Sequence, residues 1–245
     1  MAFGPDNKFS LRTAQMDGAT AEAVQIDEGL RAYMLRIYNY MASGLALTGI
    51  IAMATAQSES MMQIIFGGGA LMWIVMLSPL GFVLALSFGI NKMKASTAQA
   101  VFWGFAAVMG LSMASIFAIY TGTSIARVFF ITAGTFAGMS LYGYTTKRDL
   151  TGLGSFLFMG LIGIILASIV NMFLQSSAMH FVISVIGVLV FVGLTAYDTQ
   201  KIKSMYAESD GSETASKKAI MGALTLYLDF INLFMMLLRL FGDRR

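Results

Sequence analysis

The 245-residue chain has no cysteine, which excludes a disulfide framework, a thiol nucleophile and cysteine-ligated metal. Charge is scarce too. Only 12% of residues are charged, against about 25% in an ordinary soluble domain. The net charge of +3 is spread over short polar segments, with no basic stripe interleaved with aromatics, so nucleic acid is excluded as a partner. Gly67-Gly68-Gly69 lacks the lysine and hydroxyl residue of a phosphate loop, which removes nucleotide binding. The single histidine, His180, reads as an interfacial or pore-mouth residue. No resident cofactor is expected, and no enzymatic activity.

What the chain has is apolar surface. Apolar residues make up 57% of it, gathered into runs long enough for the roughly 20 residues that a membrane helix needs. Seven spans are expected, near 33–55, 62–90, 98–120, 126–145, 153–174, 179–200 and 220–241. The second is long, with a kink or break expected at Ser78-Pro79. This is an all-α integral membrane protein, a seven-transmembrane-helix bundle. Residues 1–30 carry seven charges and no apolar stretch of the cleavable-signal kind. They read as a flexible cytoplasmic tail ahead of one domain over 31–245. Lys92, Lys94, Lys147, Arg148 and the lysines of 201–218 fall in alternate connections, which places the N-terminus in the cytoplasm. Seven crossings then put the C-terminus outside, with a re-entrant last helix as the alternative. Gly134-x-x-x-Gly138 and Gly160-x-x-Gly163 are read as close helix contacts.

Of thirteen acidic residues, only Asp198 and Asp229 lie within apolar helices. An aspartate at the bilayer centre costs roughly 2.5 to 3.5 kcal/mol, so such a residue faces protein or a water path. Helical spacing puts Thr225, Asp229, Asn232, Met236 and Arg239 on one face of the last segment, with apolar residues around the rest. A helix of that kind belongs in the middle of a bundle. Thr195 and Thr199 accompany Asp198. The two aspartates meet only if the seventh segment starts below the membrane surface or tilts, which is expected here. Two carboxyls in contact at low dielectric cannot both ionise cheaply, so they share a proton. On its loss a cation neutralises them or the helices separate. Two aspartates are too few for a tight calcium site, which leaves transient calcium at Asp198 and Asp229.

The run Leu226-Tyr227-Leu228-Asp229-Phe230-Ile231-Asn232-Leu233-Phe234, followed by Leu237-Leu238-Arg239, resembles the last helix of the Bax inhibitor-1 family, the transmembrane Bax inhibitor motif proteins. Tyr197-Asp198-Thr199-Gln200-Lys201-Ile202 is similar to the end of the family's sixth helix. Thr146-Lys147-Arg148-Asp149-Leu150 resembles the connection before the fifth helix in bacterial members. The likeness runs from about residue 30 to the end. It implies a bundle with the last helix central. It also implies a pH-sensitive calcium leak in the bacterial inner membrane, gated by an aspartyl pair that maps onto Asp198 and Asp229. Thr195, Thr225, Asn232 and Arg239 are expected to support the pair. Pro79-Leu80-Gly81 has no carboxylate where some bacterial members carry one.

The lipid bilayer and calcium ions are the expected partners. A second reading is a non-conducting regulator of a membrane-bound ATP-dependent protease complex or of a stress response, acting through the tail and the 201–219 connection. A third is an intramembrane aspartyl protease, in which the two carboxyls activate water. Leu226-Tyr227-Leu228 before Asp229 lacks the glycine-rich lead-in of such enzymes.

Overall fold

The computed structural model describes the backbone from Asp6 and side chains from Glu28. The tail expected over 1–30 lies outside the fully described residues, apart from its last three, which are helical. The helices are α1 (Asp6–Gln57), α2 (Glu59–Phe66), α3 (Ala70–Gly89), α4 (Ala95–Met113), α5 (Ile116–Ile119), α6 (Gly122–Thr145), α7 (Thr151–Leu174), α8 (Ser177–Ser204) and α9 (Ser212–Phe241). Seven stretches are long and apolar enough to cross a membrane: α3, α6, α7, α8 and α9 in full, Glu28–Gln57 of α1, and α4 with α5. An all-α arrangement meets what lipid demands, because each helical span bonds its own backbone N–H and C=O groups. At one end of the bundle, side chains begin three helices. The hydroxyls of Ser58, Thr121 and Ser176 accept from the N–H of Met61, Ser124 and Met179, each at 3.3 Å, satisfying first-turn donors that lack an intrahelical partner.

The second apolar run breaks, though not at its proline. Gly68 and Gly69 take φ of 102° and 96°, a left-handed backbone that glycine adopts without a side-chain penalty, and they separate α2 from α3. Pro79 sits inside α3. Its missing N–H would leave the Val75 carbonyl without a partner, but the Ser78 hydroxyl donates to that carbonyl at 3.0 Å. Ser78→Ala is therefore expected to destabilise the protein by about 1 kcal/mol, and Pro79→Ala in the same chain to recover most of it. Reversible unfolding of both variants in micelles checks this.

The last helix is central. In α9, 72% of the apolar window is buried, against at most 39% in any other span, and it packs on α1, α4, α6 and α8. Tyr227, fully buried, meets Phe102 and Phe105 edge-on at 6.4 and 5.0 Å and shares a 2.7 Å hydrogen bond with Thr48. The re-entrant alternative does not hold: α9 has 30 residues, about 45 Å of helix. Its end is pinned to the connection between α5 and α6. There Thr121 N–H donates to Asp243 O and Arg245 N–H to Ile119 O, both at 3.0 Å. With seven spans, Glu28 at the start of the first and Phe241 at the end of the last lie at opposite ends of the bundle. Lys92, Lys94, Lys147, Arg148, Lys201 and Lys203 cluster at the end where α3, α6 and α8 finish, here the basic end.

Of the predicted packing glycines, Gly160 does approach α8 closely, a Cβ there coming 3.1 Å from Val190, whereas Gly134, Gly138 and Gly163 have open space where a Cβ would be. The tightest approaches between helices are elsewhere. Gly143 of α6 lies on the Ala196 backbone of α8, and Gly154 of α7 lies on the Tyr197 ring.

Candidate functional site

Asp198 and Asp229 face each other because α9 starts early. Gly222 lies against Ile202, a Cβ there coming 3.2 Å from the isoleucine Cγ2, and Gly187 lies against Met236. That antiparallel register leaves Ser212–Ala219 projecting beyond the end of α8. Polar contacts hold the extension. Glu213 accepts from the Ala95 N–H at the start of α4 at 2.7 Å, and Lys218 pairs with Asp210 at 2.6 Å and bonds Met205 O. Counted from Ser212, Asp229 is about 25 Å along its helix. Asp198 is six residues, about 9 Å, short of the end of α8. Both carboxyls therefore lie inside the apolar zone, nearer its basic end.

Asp198 of α8 and Asp229 of α9 line the same crevice, close enough for each carboxyl to act on the other electrostatically. Asp229 is buried, and its Oδ2 receives no N–H or hydroxyl donor from any other described residue. Two carboxyls this close in an apolar interior cannot both carry charge cheaply. Lys201, one turn from Asp198, also lines the crevice and is placed over the Tyr197 ring at 5.8 Å.

The pair lies in the wall of a crevice of about 1030 Å³ between α7, α8 and α9, bounded across from α8 by Leu80 of α3. Phe158, Ile165 and Ile169 in the α7 wall are exposed on the outer surface, so the crevice opens sideways between α3 and α7. Thr225, Asn232 and Arg239 line it with the acids. Thr225 and Asn232 donate to Met221 O and Leu228 O within their own helix, at 3.1 and 2.8 Å, leaving Thr225 Oγ1 and Asn232 Oδ1 as acceptors.

Thr195 is not brought to the pair. It is fully buried outside the crevice lining, and its hydroxyl donates to Phe191 O at 2.7 Å. Thr199, one turn on, joins a different network: its hydroxyl donates to Thr195 O at 2.7 Å and shares a 2.9 Å bond with Ser140, which in turn contacts Tyr38. That network ties α8 to α6 and α1 on the flank away from the acids.

Smaller cavities continue the crevice at both ends. At the basic end, one of about 320 Å³ shares Tyr197 and Lys201 with it and reaches Lys147, Arg148 and Asp149. Asp149 accepts from Thr151 Oγ1 at 2.6 Å and Thr151 N–H at 2.9 Å, and those bonds hold its carboxyl below the usual range. Gln200 clamps this mouth, donating to Arg148 O and accepting from Leu150 N–H, both at 2.8 Å. At the opposite end, a cavity of about 630 Å³ shares Ser168 and Arg239 with the crevice. Two carboxyls and their neighbouring acceptors thus occur partway along a groove that runs the length of α7 to α9. The α7 wall, with Ser155 and Ser168, was not found from sequence: single serines in an apolar helix give no signal of direction. Among the described residues no three acidic or histidine side chains gather into a metal site.

The sequence matches the family described as Inhibitor of apoptosis-promoting Bax1 over residues 30–245. A protein of Rickettsia prowazekii is 52% identical over 226 residues, which is 92% of this chain and 95% of its own. The Inner membrane protein YbhL of Escherichia coli strain K12 is 50% identical over 224 residues, 91% and 96% of the two chains. A Caulobacter vibrioides protein is 44% identical over 248 residues, 98% and 99% of the two.

Proposed function

Because this chain belongs to the Bax inhibitor-1 family, whose YbhL member is by name an inner membrane protein, we propose that it is a pH-responsive cation leak of a bacterial inner membrane. Calcium is its most fitting ion, and Asp198 and Asp229 are its gate. The observation that carries this reading is the pair itself, two carboxyls lining one groove at membrane depth. With the shared proton in place the pair is a short link between α8 and α9. When the proton leaves, two like charges remain side by side, and a cation is the cheapest neutraliser. Calcium takes six to eight oxygens, so two carboxyls, Thr225 Oγ1 and Asn232 Oδ1 hold it only in passing. Among the described residues Lys201 is the charged side chain that lines the crevice on the basic side, and α7 and α3 carry none. Flux is therefore set by the pair's proton against Lys201. The reading orients the basic end to the cytoplasm, in line with the excess of lysine there, and assigns no bond-breaking chemistry.

Calcium entry into dye-loaded proteoliposomes is the test. Entry should exceed that of empty liposomes and rise with pH, while Asp198→Asn with Asp229→Asn should remove the pH response. Entry that keeps its full pH response in the double variant would reject the gate. A folded protein with no entry at any pH, co-purifying with a protease, would reject conduction altogether.

A further inference from the structure

We propose that the cavity at the opposite end from the lysines is a binding site for a phosphate-class oxyanion, gripped by Arg239 and Arg244. It occupies about 630 Å³ between the ends of α7, α8 and α9. Its polar lining is strongly biased toward donors, with two guanidiniums, His180, and the amide of Asn171, and no aspartate or glutamate lines it. Asn171 is buried, and its Oδ1 already accepts from Ser176 N–H at 3.0 Å. That leaves its amide N–H groups as the side chain's free capacity. Ser184 is buried with its hydroxyl turned to His180 O at 2.8 Å, so it offers the cavity an acceptor at most.

Neither arginine is neutralised. Among the described residues, Arg239 and Arg244 form no ion pair. Asp243, the acid next to Arg244 in the chain, is held by Arg127 at 3.0 Å. A guanidinium keeps its charge at any physiological pH and offers a planar fork of donors matched to phosphate or carboxylate oxygens. Arg239 is half-buried at the end of the most enclosed helix, where an unpaired charge is unfavourable. Position is also fixed in advance. The backbone around Arg244 is held by its bridge to Tyr120, by Thr121 N–H on Asp243 O, and by Arg245 N–H on Ile119 O. An anion entering the cavity meets two cations that do not have to be gathered.

The rim suggests where such an anion comes from. Met172 and Phe181 line the cavity and are 66% and 62% exposed near the ends of two helices of membrane-spanning length, where a lipid headgroup can reach. A phospholipid phosphodiester and free phosphate share the chemistry, and the experiment separates them. The site is independent of the leak reading, since it needs neither aspartate.

The test uses the full chain purified in non-ionic detergent. One arm measures retention of phosphatidylglycerol against phosphatidylcholine of the same acyl chains by native mass spectrometry. The other measures the rise in melting temperature with inorganic phosphate over chloride at matched ionic strength. The wild type should prefer phosphatidylglycerol by about tenfold, the scale of one charge-assisted pair. Arg239→Gln and Arg244→Gln should each remove most of that preference, Arg239→Lys should keep part of it, and Arg245→Gln should leave it intact. Phosphatidylglycerol retention without a phosphate shift assigns a headgroup, and a phosphate shift lost in the same variants assigns a free anion. Both outcomes support the site. If Arg239→Gln does not fold, Arg244→Gln on the terminal strap carries the comparison. No binding in either arm, or binding that survives Arg239→Gln with Arg244→Gln in a folded protein, overturns it.

Discussion

Gly143→Val is expected to destabilise the folded bundle by about 3 kcal/mol, the upper end of the range for overpacking, whereas Gly134→Ala and Gly138→Ala should leave stability unchanged or slightly raised. Gly143 is buried where α6 crosses α8, and a Cβ there would fall on the carbonyl oxygen of Ala196, well inside contact distance. Ala196 is itself 1% exposed, so the obstruction is backbone in a packed helix and has no rotamer by which to escape. α6 would have to lift away from α8, stretching the hydrogen bond between Ser140 and Thr199 one turn off. Gly134 and Gly138 lie on the exposed face of the same helix with nothing within reach of an added Cβ. Alanine at such a position gains up to about 1 kcal/mol of helix propensity over glycine. Unfolding midpoints of the three variants in one detergent check the contrast. Equal loss at all three positions would mean that the bundle does not close at Gly143.

The same glycines show where sequence stops being informative. Spacing identifies a pair of small residues on one helix face, but not which face meets protein and which meets lipid. In a membrane both are apolar, so hydropathy carries no sign of direction. The acids are the opposite case. A carboxylate in an apolar run is costly wherever it points unless it finds a partner, so Asp198 and Asp229 were legible as a couple before any geometry. Their depth was not. It depends on Ser212–Ala219, too polar to be read as span, folding into two further turns of α9 because Glu213 and Lys218 find partners on α4 and on the preceding connection. Thr195 misled because proximity in sequence to Asp198 does not fix the face. A buried threonine can satisfy its hydroxyl on the carbonyl four residues back, with no need of the acid. Pro79 does not break α3, because its neighbour Ser78 supplies the donor that the proline lacks.

Either single substitution, Asp198→Asn or Asp229→Asn, is expected to flatten the pH dependence of calcium flux as completely as the two together. One proton released per opening event gives a wild-type slope of about tenfold per pH unit while the pair titrates. Under the proposed gate that slope belongs to the couple, because two carboxyls lining one crevice titrate together. An asparagine at one position can donate its amide N–H to the remaining carboxylate, so the link between α8 and α9 no longer needs a proton to hold. Removing the second acid then takes away nothing further from the pH response, and the effects should be strongly non-additive. The alternative, in which each aspartate acts alone with its own partners, gives two separable losses that add. Asp229 has no other described donor on its buried oxygen, and that argues for the coupled outcome. Single variants that each retain about half of the pH slope would mean that the carboxyls titrate independently and that their proximity is incidental to the gate.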